Sequence, residues 1–528
     1  MLQSRRLPDK LLFLTACVVA GLTALAFGFS PDWDMMNYHL YNPHALLHGR
    51  LDRDLAPAQL QTYLNPLFHL PFYLVFRQFH PGVLVFLVGV IQGSQVVLLA
   101  RILARLLPAG FQPAWLVWVV AGLGMCGPIF LHELGGTLGD SILSIPVLAG
   151  LLLLLGDGEE GIKPGPERAA LFCGILLGLA TALKLTFAPY AIAMGIALLW
   201  RRPVMLRWSL FGRYVLGGTL GFLVAGGGWF AYLWLTYQNP FFPYFNGIFH
   251  SSWVGDASFR DIRFMPRSTW EWLAYPLAWL TEPRRVWEFL FRDPRVVALY
   301  LIILAAPLVA WRKPGSLSPR MRLVLIFLAI SYVLWLLVFS IYRYLVVIEM
   351  LAPLVLFSLF LAWFPGRKNV TTALVLLLAS QLFVVYERPP TMWELQSGSP
   401  SSLASLPGNA LVLVAGYEPV SYAALWLDDD IPIVRIRANF MNQEEPETRI
   451  QFEAERRVRG HTGPVFLLRS DDQLEADYLP RDLARVGLEQ LPGDACRPVF
   501  LQHRLQRKTG LRLCQLARTV AAPVQSGT

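Results

Sequence analysis

A polytopic α-helical membrane protein carrying a small α/β domain at its C-terminal end is the fold class this sequence predicts, on three observations. Of 528 residues, 55% are hydrophobic and only 15% charged, against about 25% charged in a soluble globular chain, and the mean hydropathy is +0.47. Apolar runs of membrane-spanning length recur from residue 11 to residue 386. From about residue 387 the composition changes, first to a Pro/Ser-rich stretch and then to a charged, mixed one. The 17 Trp, 18 Tyr and 33 Phe suit aromatic belts at lipid–water interfaces. The net charge of +9 fits basic cytoplasmic loops rather than a nucleic-acid partner.

The first run, 11–29, follows Arg5, Arg6 and Lys10. It reads as an uncleaved first span with a cytoplasmic N-terminus rather than a signal peptide, because its small-residue cleavage pattern is weak and many more spans follow. Further runs lie at 82–107, 111–131, 137–156, 168–183, 186–200, 214–236, 296–311, 322–340, 345–364 and 369–386. Alternation of about 11 spans puts Arg101 and Arg105, Lys163 and Arg168, and Arg201, Arg202, Arg207 and Arg213 on the cytoplasmic side. Arg312, Lys313, Arg320, Arg322, Arg367 and Lys368 join them, which leaves the tail outside the cytoplasm. The run 168–200 is long for one helix and short for two, so it predicts two short, buried helices with a tip near Lys184.

Residues 1–386 therefore form the transmembrane domain, with interfacial helices expected in the outer loops 30–81 and 237–295, and residues 387–528 the extracytoplasmic α/β domain. In that tail LVLVAG (411–416), IPIVRI (431–436) and PVFLLR (464–469) read as strands. PVSYAALWL (419–427) and LEADYLPRDLARVG (474–487) read as helices, the second interrupted by Pro480. Cys17, Cys126 and Cys173 fall in spans as small apolar residues. Cys496 and Cys514 lie in the tail, either as free thiols or, in an oxidising compartment, as a disulfide. The chain shows no internal repeat, P-loop or dinucleotide fingerprint, so ATP-driven transport has no support.

The chemistry-bearing residues gather in the predicted outer loops. In the first, Met36, Leu40, Pro43 and Leu47 fall on one helical face and Asn37, Tyr38, Tyr41, His44 and His48 on the remainder, an amphipathic pattern with a kink at Pro43. Asp32 and Asp34 precede it. Carboxylates at a low-dielectric boundary have raised pKa values, which suits a general base. They are equally suited to a divalent cation, and Asp32 to capping the helix. The second outer loop, LHELGGTLGDSILS, supplies Glu133 and Asp140 at the same membrane face. Asp140 also suits the positive end of the next helix. Lys184, costly in a membrane when unpaired, calls for an anionic partner, with a phosphate the natural one, or else snorkels to the headgroups. Arg343, between Tyr342 and Tyr344 where a span begins, is either an interface anchor or a bidentate phosphate ligand. Glu349, six residues on, is off that helical face and needs a partner from another helix. The stretch TYQNPFFPYFNGIFHSSW reads as an aromatic interfacial lid.

On these residues the chain resembles the GT-C superfamily of membrane glycosyltransferases, which includes protein O-mannosyltransferases, the lipid A aminoarabinose transferase and bacterial polyprenyl-phosphate-sugar enzymes. Four features carry the resemblance: Asp32-Trp33-Asp34 after the first span, the acids Glu133 and Asp140 in the second outer loop, the NPFFPYFN stretch, and Tyr342-Arg343-Tyr344 entering a late span. It covers roughly residues 1–386. It implies an inverting transfer of a sugar from a polyprenyl-phosphate donor to an acceptor hydroxyl at the extracytoplasmic face of the inner (plasma) membrane. Asp34 would be the base, with Asp32, Asp140 or Glu133 assisting. Lys184 and Arg343 would hold the donor phosphate, and Tyr38, His39 and Asn246 would be acceptor or lid contacts. No cofactor is required by the resemblance, and a divalent metal at Asp32 and Asp34 stays open. The implied partners are the polyprenyl-phosphate sugar, membrane lipid and a glycan, lipid or protein acceptor, with no nucleic acid. Two competing classes are a lipid-linked oligosaccharide flippase or other transporter, and an O-antigen polymerase or ligase. The first favours inverted repeats and mid-membrane charges. The second is kept open by the seven Arg in 237–295.

Overall fold

In this computed structural model the described residues are 6–519, without 109–110, 112, 157–164, 201–203, 257–258, 389–402, 404, 442–447, 471–477, 492–495 and 500–510. Lys163, Arg201, Arg202, most of the Pro/Ser-rich stretch and residues 474–477 of the expected tail helix lie outside them. The chain forms two compact units that interleave along the sequence. One comprises 1–29, 82–228 and 260–389; the other comprises 30–81, 229–259 and 390–528.

The first unit is helical. Among the described residues, seven helices are long and apolar enough to cross a membrane: Lys10–Phe27, Pro81–Leu106, Pro166–Leu183, Leu206–Tyr237, Pro294–Arg312, Pro319–Val338 and Tyr342–Trp363. Three shorter apolar helices, Trp115–Gly124, Asp140–Leu155 and Leu185–Leu199, occupy other expected runs. The last run carries Arg367–Gln381. This is a polytopic membrane architecture.

The helix entered at Tyr342 is the centre of the unit: 83% of its apolar window is buried, against 22% for the first helix. Its Val346–Trp363 part packs against Trp115–Gly124, Pro294–Arg312, Gln95–Leu106 and Asp140–Leu155. In lipid the apolar effect does not drive helices together, so close packing at small residues does. Pro166–Leu183 meets the long helix that begins at Val204 through Gly174 and Gly178 on one side and Gly217 and Gly221 on the other. A Cβ on any of the four would lie under 3.0 Å from the partner backbone. The 168–200 run forms two helices broken at Lys184, as expected, but the first, Pro166–Leu183, is long enough to span and only the second is short; Lys184 is extended between Pro166–Leu183 and the turn Leu185–Phe187.

In the second unit the tail forms a six-stranded mixed sheet. Its strands are β1 (Leu411–Ala415), β2 (Ile433–Arg437), β3 (Val465–Ser470), β4 (Leu488–Gln490), β5 (Cys496–Val499) and β6 (Leu511–Arg518). The order is β2-β1-β3-β6-β4, with β5 also on β6. β1 runs parallel to β2 and β3, and β6 antiparallel to β3, β4 and β5. Every residue of β1, β2 and β3 is buried; β1 is apolar throughout, while β2 and β3 also bury Arg435, Arg437, Arg469 and Ser470. Cys496 and Cys514 face each other across β5 and β6 and are joined as a disulfide.

Two tail elements differ from expectation. Residues Ser421–Trp426 form a 3-10 helix. Pro480 sits in the first turn of the helix Leu479–Arg485 rather than interrupting one, where its missing N–H costs nothing. Arg449–Gly460 adds a helix whose capping box joins Thr448 and Gln451.

The first loop belongs to this unit. Leu55 forms a parallel bridge to Val434, donating its N–H to Ile433 O at 2.9 Å and accepting from Arg435 N–H at 3.0 Å, so the loop extends the β2 edge. Residues 35–45 are buried on every side, and Tyr38, Tyr41 and Ala45 share a core with Val412, Val414 and Ile433. The expected one-sided interfacial helix is therefore a packed element. Its break also moves: Met35–His39 is a π-helical turn and Tyr41–Leu47 an α-helix. Pro43 has no N–H for the His39 carbonyl four residues back, so the distortion appears ahead of the proline.

Candidate functional site

The first unit brings four of the expected site residues, Glu133, Asp140, Lys184 and Arg343, into one cluster. Gly139, with φ of 84°, turns the chain so that Asp140 opens the helix Asp140–Leu155. There the helix dipole favours its charge. Asp140 is fully buried, and Lys184 Nζ lies 2.6 Å from its Oδ1. The same ammonium donates to Leu138 O at 2.9 Å. Arg343 Nε lies 3.9 Å from Asp140 Oδ2. The anionic partner that the sequence required of Lys184 is thus, in this structure, a carboxylate.

Arg343 sits on the turn Tyr342–Leu345 that leads into the central helix. Its guanidinium stacks over Trp287 at 5.5 Å and Tyr344 at 5.0 Å, and Nη2 donates to the Tyr344 hydroxyl at 3.0 Å. Tyr190 fixes that turn by donating its hydroxyl to Tyr344 O at 2.6 Å. The side chains of Lys184 and Arg343 keep 13% and 15% exposure, whereas the acid between them is sealed.

Glu133 ends the short helix Pro128–Glu133 and accepts from Ser141 N–H at 2.7 Å, which joins it to the head of the Asp140 helix. Gln92 braces the pair: its amide donates to Glu133 O at 2.9 Å and Ser141 Oγ at 2.7 Å, and its Oε1 accepts from Gly135 N–H at 2.8 Å. Burial first, and then the charge of Asp140, push the Glu133 carboxyl well above its ordinary range.

Glu349 finds its partner on another element, as its position required. Its carboxylate accepts from Ile129 N–H at 3.1 Å and Phe130 N–H at 3.2 Å and so caps the Pro128–Glu133 helix. A Cβ on Gly127 would overlap that carboxylate, which explains the glycine. Deeper polar contacts came with no signal in the sequence: Arg295 pairs with Asp293 at 2.6 Å and donates to Leu123 O at 2.6 Å and Gln381 Oε1 at 2.9 Å.

The remaining expected residues lie in the second unit. Asp32 accepts from Met35 N–H at 2.7 Å, the helix-capping use of an aspartate. Asp34 is half-buried at the start of the same turn. His39 is buried with its ring stacked on His69 at 3.9 Å, and Tyr38 meets both rings edge-on. Asn246 is committed to its own loop: Nδ2 donates to Ser251 O and Val254 O, each at 3.0 Å, and Oδ1 accepts from Ser251 N–H at 2.9 Å. In the NPFFPYFN stretch, Phe242 is buried against Tyr237 and Tyr63, while Phe245 is exposed.

No protein-family model matches the sequence, and no curated protein matches it either. Solved structures similar to this chain include two of ArnT from Cupriavidus metallidurans, one bound to undecaprenyl phosphate and one in the apo state. Their identities to this chain are 14% and 15%. Each comparison covers 96% of this chain and 98% of the other, with a TM-score of 0.41.

Proposed function

We propose that this chain is a GT-C-like membrane glycosyltransferase that takes a sugar from a polyprenyl-phosphate donor, with Lys184 and Arg343 as the seat of the donor phosphate. One observation carries the reading: two cations from different elements, Lys184 and Arg343, converge on the one buried carboxylate of Asp140. A polyprenyl-phosphate sugar is a phosphodiester, the kind of oxyanion that an ammonium and a guanidinium bind with charge-assisted hydrogen bonds. As the acceptor oxygen bonds to the anomeric carbon and the sugar–phosphate bond breaks, the departing lipid phosphate gains negative charge that the cations offset. Asp140 holds Lys184 in place before the donor arrives. Asp34 as the base that takes the acceptor proton rests on the sequence resemblance alone, as do inversion, the extracytoplasmic face and the inner membrane.

The polymerase or ligase reading loses support at the long loop. Arg263 pairs with Asp261 and Glu288, Arg284 with Glu387, Arg285 with Glu271 and Arg295 with Asp293, so much of its basic charge is already neutralised.

The test is release of lipid phosphate from radiolabelled polyprenyl-phosphate sugars by the purified protein in detergent. Wild type is expected to turn over at least one donor by slow hydrolysis or transfer, and Asp34→Asn to lose turnover while still binding it. A protein that binds none of the donors sinks the transferase reading and favours the transporter.

A further inference from the structure

We propose that His44, His48 and Asp429 form a divalent transition-metal site, zinc by the nature of its donors, that fastens the first-loop helix to the C-terminal sheet domain. Among the described residues these three are the one group of His, Cys, Asp or Glu side chains arranged to share an ion, with a ligand atom from each within 4.8 Å of the others. Asp32 and Asp34 are not part of it.

The geometry is built from the helix upward. His44 and His48 are four residues apart at the end of Tyr41–Leu47, which puts both imidazoles on one face, and their rings lie 4.2 Å apart. His48 Nδ1 is already 3.0 Å from Asp429 Oδ2. Ligand atoms on a tetrahedron around zinc sit about 3.3 Å apart, given bonds of about 2.0–2.1 Å. His48 and Asp429 are both exposed.

A second observation points to an absent ligand. His44 is buried at 2% exposure, with Nδ1 held 2.9 Å from the Tyr73 hydroxyl, while its Nε2 is sealed from water without any hydrogen-bond partner. A buried polar atom left so is costly. A metal ion satisfies it, and the Tyr73 contact is the outer support that ligating histidines ordinarily have.

Two nitrogens and one carboxylate oxygen select zinc or its neighbours over magnesium and calcium, which prefer all-oxygen shells. The nearby cations narrow the choice without closing the site. Arg50 is spent on Asp54, and Arg53 donates to the backbone carbonyl of Asp429, which places that residue beside the helix.

The experiment uses the full chain, purified in detergent without a polyhistidine tag and stripped with chelator, then titrated with Co(II) and Zn(II). The expected result is one equivalent of Co(II) with visible d–d absorption, displaced by Zn(II), and a melting temperature raised by zinc. His48→Gln and Asp429→Asn, both at exposed positions, should fold normally yet weaken binding about tenfold or more and lose the zinc-dependent stabilisation. Tyr73→Phe should weaken binding by about 10–100-fold while keeping one equivalent. Absence of binding at 100-micromolar-order metal (about 0.1 mM, far weaker than structural zinc sites) overturns the proposal. So does binding that both His48→Gln and Asp429→Asn leave unchanged.

Discussion

Lys184 and Arg343 approach the same carboxylate at different distances, 2.6 Å and 3.9 Å, and this separates what their loss should do. Removing Lys184 strands a buried charge, which costs about 3–5 kcal/mol when one partner of a buried pair is deleted. Lys184→Met should therefore lower the melting temperature, and Asp140→Asn in the same chain should restore most of it. Arg343→Gln removes a more distant cation and should melt close to wild type while losing donor binding. Gly127→Ala is expected to destabilise by about 1–3 kcal/mol through overpacking against Glu349, read as a lower melting temperature. At this scale the sequence was informative where a charge stood in apolar surroundings. Lys184, Arg343, Asp140 and Glu349 all stand out that way. What it could not show was the partner of each: Glu349 caps two backbone N–H groups, and backbone donors leave no mark in a sequence.

Elements follow the same division. Apolar length marked the helices, and the buried strands stood out by their apolar residues, although β2 and β3 also carry the buried Arg435, Arg437 and Arg469. The docking of the first loop was hidden, because it rests on backbone bridging to β2 and on one internal pair. Arg50 and Asp54 lie 2.9 Å apart with almost no exposure, Asp54 accepts from Ile433 N–H at 2.8 Å, and Arg50 donates to Ile431 O at 2.7 Å. Asp54→Ala leaves Arg50 buried and unpaired and should cost about 3–5 kcal/mol, seen as increased proteolysis within residues 30–81. A second test concerns the glycine contact between Pro166–Leu183 and the helix from Val204. Gly178→Leu forces those backbones apart and should lower the melting temperature more than Gly228→Leu on the same long helix, where a Cβ meets nothing within 4 Å.

The whole molecule departs from a linear plan. Composition places one boundary near residue 387, whereas contacts group residues 30–81 and 229–259 with the tail. Composition averages over side chains, and the first loop's polar and aromatic residues are buried in a core that its own sequence does not contain, so no composition change announces it. The helical unit keeps the cluster of Glu133, Asp140, Lys184 and Arg343 to itself, and the proposed function stands on that cluster. Its most direct test is the affinity of detergent-purified wild type, Arg343→Gln and the control Gly228→Ala for a polyprenyl phosphate. The account predicts binding by wild type and control and a loss of about tenfold or more in Arg343→Gln, roughly the 1.5–3 kcal/mol of a charged hydrogen bond. Equal affinity in all three, with Arg343→Gln properly folded, would contradict it.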